Sequence, residues 1–393
     1  MMIPERPSLE RRVLSALDGS QGNAPRIPVL LGGCGSGRTS VLLRLRDLIG
    51  RTSAQYVDIE RIATTPERFL RTLRDATPFP AHPYGESAAA EAGARDAFDA
   101  ALAFLDTARG AGGGPATFLL DEFLELRTFE SFPGLRAVLR DLVAMLAASG
   151  NRFVLTTRYV ARAHRLLRDA PSQFEIMYVA PLTPAEIRAT IASGHEAHGE
   201  EDERRRDDLV RLVHALSDGR PVYARLIADM AAAMDARGAH DPVSALTALL
   251  APGGALANTC QYCYELRLHR ARGYGALKAI LDVLAEEEPL TLTEIALRLR
   301  RTPGSTKDYL SWLEDVDLIL ARQKRYSFAD PMLRLWVRLH CRPTPPTDED
   351  IAREVHSYVL AHLPPAVPAE PTPALALTAP VDREKAWGII EID

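Results

Sequence analysis

One stretch constrains this chain more than any other: Gly32-Gly33-Cys34-Gly35-Ser36-Gly37-Arg38-Thr39. It follows the apolar run Ile27–Leu31 and opens the helical pattern Thr39–Ile49. A short apolar run flanked by glycine reads as a buried strand, and Pro28 suits its start. Glycines let a backbone wrap an anion without Cβ clashes. Successive N–H groups and the positive end of the following helix then face phosphates. The pattern G-x-x-x-x-G-K-[ST] is met except that Arg38 replaces the lysine. A cation at position 38 reaches the β- and γ-phosphates of a nucleotide, and the Thr39 hydroxyl holds Mg²⁺. The candidate cradle is therefore Gly32, Gly33, Cys34, Gly35, Ser36, Gly37, Arg38, Thr39 and Ser40.

A second motif fits the first. Phe118-Leu119-Leu120-Asp121-Glu122 is an apolar strand ending in two carboxylates. Beside a phosphate loop, Asp121 is expected to hold Mg²⁺ through its water shell. Glu122 is expected to orient or deprotonate an attacking water. Thr156, at the end of the apolar run Phe153–Thr156, is a candidate for the γ-phosphate or that water. Arg158 is a candidate sensor of phosphate or of a neighbouring subunit. Arginine keeps the charge of lysine but is planar and forked, so Arg38 suits binding better than turnover.

Composition narrows the setting. The net charge of −5 gives no global pull toward nucleic acid or an anionic membrane, although it leaves room for a local basic patch. No stretch approaches about 20 uninterrupted apolar residues, so no membrane role is expected. Four cysteines do not make a disulfide scaffold, and Met1–Arg12 lacks the apolar core of a signal peptide. The expected location is cytoplasmic. Only Lys278, Lys307, Lys324 and Lys385 are lysines among the 47 Lys and Arg residues, so Arg38 matches a chain-wide usage.

The order of signals implies an α/β fold: a parallel sheet with helices on both faces. Further strands are expected at Ala54–Ile59 and Glu175–Val179, and helices at Pro7–Leu17, Ala92–Ala108 and Leu135–Ala148. After Pro181 the strands stop; Thr183, Pro184 and Glu186 supply an N-cap, N1 and N3. Gly275–Ala285, a helix from Thr291, Ser305–Leu313 capped by Ser305, and the alternating runs Leu318–Ala321 and Arg325–Phe328 read as a helix-turn-helix with a wing. Beyond Arg342 the chain is proline-rich and reads as a linker and tail. The expected divisions are a core over 1–181, a helical lid over 182–250, a connector over 251–273, a winged helix over 274–341 and the tail over 342–393.

Together these residues resemble the archaeal-type ATPases, a group within the AAA+/STAND P-loop NTPases. Arg6-Pro7-Ser8-Leu9-Glu10 is similar to an abbreviated N-terminal box of that group. The two motifs above resemble its Walker A and B. Val179-Ala180-Pro181-Leu182-Thr183 is similar to its step into the lid, Asp218-Gly219-Arg220-Pro221 to its G-x-P turn, and Tyr326–Pro331 to the segment closing its winged helix. The resemblance implies a P-loop NTPase core, helical lid and winged helix, with ATP and Mg²⁺ as cofactors. It places Arg220 or Pro221 beside the nucleotide. It implies an ATPase or a nucleotide switch, with a nucleotide-gated protein-interaction scaffold of little or no hydrolysis as the alternative.

The candidate partners beyond nucleotide are duplex DNA through residues 293–325, a protein through the C-terminal tail around Trp387, and further copies of the chain. Cys260-Gln261-Tyr262-Cys263 lacks the second ligand pair zinc needs and reads as part of a helical core.

Overall fold

The computed structural model describes residues 6–19, 24–80, 93–110, 112–192, 200–235, 241–269, 271 and 273–363. Five strands, β1 (Ile27–Leu31), β2 (Ala54–Asp58), β3 (Thr117–Asp121), β4 (Arg152–Thr157) and β5 (Phe174–Tyr178), form one parallel sheet in the order β2-β3-β4-β1-β5. Side chains alternate faces along a strand, and the core divides accordingly. Leu30, Leu119, Val154 and Met177 pack with Val13 and Leu17 of helix Pro7–Asp18 and with Val41, Leu42 and Leu45 of helix Arg38–Ile49. Val29, Leu31, Phe118, Leu120, Phe153 and Leu155 face the other way, against Phe69, Phe98 and Leu142 of helices Pro66–Asp75, Ala94–Thr107 and Val138–Ala148. Helices thus cover both faces, as the sequence implies.

This topology positions the site. The glycine loop leaves the C-terminal end of β1, Asp121 ends β3, and β4 lies between them. Asp121 shares the parity of Leu119, so it looks toward the helix that begins at Arg38.

Helices Pro184–Ala192, Glu200–Ser217, Pro221–Asp235 and Pro242–Leu250 follow the sheet. The Thr183 cap forms: its Oγ1 accepts from Glu186 N, and Thr183 N donates to Glu186 Oε2. Leu182 N donates to Gly219 O at 2.6 Å, which pins the step after β5 to the turn before Pro221. Gly219 sits at φ +62 with its missing Cβ aimed at Leu182 O, 2.6 Å away, so only glycine fits there.

Helix Ala255–His269 leads to helices Tyr274–Glu286, Leu292–Arg298 and Pro303–Asp315. Three short strands, β6 (Leu290–Thr291), β7 (Ile319–Arg322) and β8 (Arg325–Phe328), form an antiparallel sheet in the order β6-β8-β7. Gln323 and Lys324 both take positive φ, the two-residue geometry that suits a tight hairpin.

Two expectations change. The helix expected at Ser305–Leu313 is Pro303–Asp315, with Thr302 as its cap: Thr302 Oγ1 accepts from Ser305 N. Pro303 at the first position fixes the earlier start. The linker expected beyond Arg342 contains helix Asp348–His362, opened by a Thr347/Asp350 capping box. Its Ile351, Val355, Tyr358 and Val359 are buried, and Tyr358 donates to Leu216 O at 3.0 Å. The prolines lie on either side of an amphipathic pattern and masked it. The remaining tail, including Trp387, lies outside the described residues. Among the described residues no single helix is long and apolar enough to cross a membrane.

Candidate functional site

The loop closes through Gly35 and Gly37, at φ +73 and +88, a conformation L side chains rarely adopt. Arg38 begins the helix but its side chain turns back into the loop. Its Nη1 donates to Gly32 O, to Gly33 O at 2.6 Å and to Ser36 Oγ at 3.0 Å. Its Nη2 donates to Glu122 Oε1 at 2.7 Å. Both members of this pair are buried.

Asp121 gathers three hydroxyls. Thr39 Oγ1 donates to its Oδ2 at 2.7 Å, Tyr56 OH to the same oxygen at 2.9 Å, and Thr156 Oγ1 to its Oδ1. Burial, with Asp121 nearby, raises the Tyr56 phenol well above its ordinary value, so it stays a donor. Thr156 also accepts from Glu122 N at 3.2 Å and is fully buried. It therefore ties the Asp121 carboxylate to the Glu122 backbone.

Glu122 sits just past the strand at φ +54. Arg158 N donates to its Oε2 at 3.0 Å, and Arg158 Nε lies 3.1 Å from its Oε1. Burial pushes the Glu122 carboxyl upward, but Arg38 and Arg158 outweigh it and hold the group below its ordinary value. Arg158 pairs on its other side with Glu60. Its guanidinium is buried.

The start of helix Pro221–Asp235 lies against the loop. A Cβ on Gly37 would lie 3.4 Å from Pro221, and one on Gly35 would lie 3.4 Å from Val222. Arg220 Nη1 donates to Cys34 O at 3.3 Å and lies 3.4 Å from Asp330 Oδ2, while its Nη2 donates to Ala329 O at 3.0 Å. Tyr223 OH donates to Asp330 Oδ2 at 2.8 Å. Cys34 faces Cys263; a hydrogen bond from that thiol, with Arg267 nearby, draws the Cys34 thiol well below its ordinary value despite burial. From the N-terminal side, Arg6 donates to Ala180 O and to Ser36 O.

Thus Arg38, Thr39, Asp121, Glu122, Thr156 and Arg158 come together in one cluster, with Pro221 against the loop and Ser40 in the first turn of the helix. Tyr56, Glu60, Arg267 and Asp330 are additions. The first two follow from a rule that the sequence could have supplied: groups at the C-terminal ends of parallel strands converge. Asp330 lies in the Tyr326–Pro331 segment noted above, whereas Arg267, on helix Ala255–His269, leaves no local signal.

The fold has a counterpart among solved structures. The Walker-type ATPase of Pyrococcus abyssi is similar, with a TM-score of 0.59 and 16% identity over 86% of this chain and 96% of that one. This chain has the P-loop ATPase fold. A STAND protein with a tetratricopeptide-repeat sensor from Pyrococcus horikoshii matches at a TM-score of 0.35 and 16% identity over 89% of this chain and 44% of that one. The Holliday junction branch migration motor RuvB of Thermotoga maritima matches at 0.40 and 13% identity over 82% and 92%. Scores at that level do not bear on the P-loop assignment. No protein-family model and no curated protein matches the sequence.

Proposed function

We propose that the chain is an ATP-binding switch of the AAA+/STAND kind with slow hydrolysis, in which the nucleotide held by residues 32–40 sets the placement of the lid and of a C-terminal winged helix. The observation that carries this reading is the Arg38–Glu122–Arg158 cluster standing beside the Thr39–Asp121 pair.

The residues fit a nucleoside triphosphate with Mg²⁺. The loop is built on left-handed glycines, and Arg38, Arg220 and Arg267 keep a buried Nε without a hydrogen-bond partner, so donors remain for phosphate oxygens. Thr39 and Asp121 supply the hydroxyl and carboxylate that suit a hard divalent cation. When bound, the metal neutralises charge on the terminal phosphates. Thr156 and Tyr56 hold Asp121 in register for it. Arg38 exchanges the Gly32 and Gly33 carbonyls for phosphate, and the lid residues Pro221 and Val222 move off the loop to admit the ligand. Glu122, held by two arginines and lowered in basicity, is a weak base for activating water. That favours a switch over a fast enzyme.

Mg-ATP binding measured at equilibrium beside turnover tests the reading. Binding is expected, with a turnover well under about 1 s⁻¹, the lower edge of ordinary enzyme rates. Absence of binding would remove the reading.

A second reading adds duplex DNA. The helix-strand-helix-helix-strand-strand order of residues 274–328 supports a winged helix. Arg300, Lys307, Arg322 and Lys324 are exposed on it, and among the described residues no carboxylate pairs with them. DNA affinity that falls steeply with salt is the expected result; no binding at low salt would dismiss it.

A further inference from the structure

We propose that Cys34 of the phosphate loop and Cys263 of helix Ala255–His269 are a peroxide-sensitive thiol pair, and that their disulfide shuts the loop to nucleotide. The second half rests on the nucleotide-binding reading above; the first does not. Both cysteines are free thiols, and a hydrogen bond joins them although they are far apart in sequence. Sulfurs that face each other in this way meet the first requirement for a disulfide. The approach is not confined to one point. Arg267, one helical turn beyond Cys263, brings its Nη2 within 4.0 Å of a Cβ built on Gly33. One face of helix Ala255–His269 therefore lies along the loop at Gly33 and Cys34.

Two packed cysteines are often no more than small apolar side chains. The surroundings here are not apolar. The hydrogen bond from Cys263, with the buried Arg267, Arg158 and Arg38 nearby, favours a thiolate at Cys34 despite burial. The Cys263 thiol is instead pushed up, by its hydrogen bond to Cys34 and by burial. Burial works against the charge of Arg267, and Cys34 leads the neighbours that more than offset it. Cation and thiolate thus support each other. Cys34 is the nucleophile of the pair and Cys263 the resolving thiol. Each is 7% exposed, beside half-buried Gly33 and Gly35 and beside Tyr262, which is 61% exposed, so an oxidant hardly larger than water reaches them. By contrast, Cys260 is fully buried with its thiol pushed up by burial and Asp330, and burial pushes the Cys341 thiol up to about 11.

The chemistry balances with hydrogen peroxide as the oxidant. The Cys34 sulfur attacks one oxygen, the O–O bond breaks, and the departing hydroxide takes up the proton that Cys34 shed. Cys34 is then a sulfenic acid. The Cys263 sulfur attacks it, the S–O bond breaks, and the leaving oxygen takes the Cys263 proton. Two thiols lose two electrons and two protons, and the peroxide becomes two waters. Admission of nucleotide, as proposed, needs Pro221 and Val222 to move off Gly37 and Gly35. Helix Ala255–His269 packs against helices Pro221–Asp235 and Pro242–Leu250, so a bond from it to Cys34 ties the loop to them and opposes that movement.

The test treats the full-length protein with hydrogen peroxide, digests it without reductant and maps the peptides by mass spectrometry. A peptide pair joined through Cys34 and Cys263, lighter by two hydrogens and parted by dithiothreitol, is expected, with Cys260 and Cys341 still thiols. Mg-ATP affinity titrated on the same samples is expected to fall at least about fivefold on oxidation, the lower edge of ordinary coupling between sites, and to return with dithiothreitol. Cys263→Ser is expected to bind Mg-ATP like the reduced wild type; Cys263→Ala replaces it if the serine variant does not fold. Without a resolving thiol, peroxide is expected to carry Cys34 on to the sulfinic acid, which dithiothreitol does not reverse. Cys34 left as a thiol, Cys34 over-oxidised in wild type with Cys263 untouched, or a different disulfide would each overturn the pairing. A Cys34–Cys263 disulfide with unchanged Mg-ATP affinity would overturn the shutting of the loop. Reduced wild type that binds no Mg-ATP would overturn the nucleotide reading, while the peptide map still decides the pair.

Discussion

Arg38 joins two motifs into one device. Its guanidinium bridges the loop carbonyls and Glu122, 84 positions away in sequence. A lysine has one compact ammonium and cannot span both. Arg38→Lys is therefore expected to release Glu122 from one of its two arginines and raise single-turnover ATP hydrolysis by about tenfold, a part of the roughly 10²–10⁴-fold that a well-poised acid–base group contributes. A lower rate than wild type would show that Arg38 itself supports chemistry. The same pair sets a pH dependence. Glu122 is lowered when folded, so its stabilising contribution is fully present above its ordinary value of 4.5 and is lost as pH falls through the lowered value. Glu122→Gln is expected to cost about 3–5 kcal/mol at pH 7, because it leaves the buried Arg38 without a carboxylate partner. The cost shrinks in acid, which urea unfolding at the two pH values would show. The residue types of this cluster were legible in the sequence, because a loop and a strand end are local patterns. Their pairing was not, because an ion pair between distant segments depends on which strands lie side by side.

At the scale of elements, β1, β3, β4 and the phosphate loop were readable because those apolar runs are short, lie near glycine and are buried on both faces. Helix Asp348–His362 was not, because flanking prolines dominate the composition of its neighbourhood. Yet the Thr347/Asp350 capping box and the spacing of Ile351, Val355, Tyr358 and Val359 carry a clear helical signature. This helix lies against helix Pro242–Leu250 and reaches Leu216 through Tyr358. A chain ending at residue 346 loses those four buried side chains, each worth about 1.5–3 kcal/mol. Its melting temperature is expected to fall by at least about 10 °C. A melting temperature equal to the full chain's would mean that the helix is an appendage.

Across the described residues, one contiguous apolar core runs from the sheet through the helices after β5 to helix Asp348–His362, from Leu31 and Phe118 through Leu216 and Leu246 to Leu313, Trp336 and Val355. Polar ties follow the same path: Cys34 O, Arg220, Asp330 and Tyr223 join the loop, the lid and the C-terminal segment in one chain of contacts. Pro221 and Val222 rest on the loop glycines, so under the proposed switch a ligand entering there would displace helix Pro221–Asp235 and strain this chain of contacts. That is how a phosphate site of a few residues would move a whole domain. Everything in this account depends on the loop binding a nucleotide through Arg38. Calorimetric titration of the full-length protein and of Arg38→Ala with Mg-ATP is the most direct check. Saturable binding by wild type, weakened at least about tenfold in Arg38→Ala, is the expected result. No binding by wild type at millimolar Mg-ATP, or equal affinity in the two proteins, would contradict it.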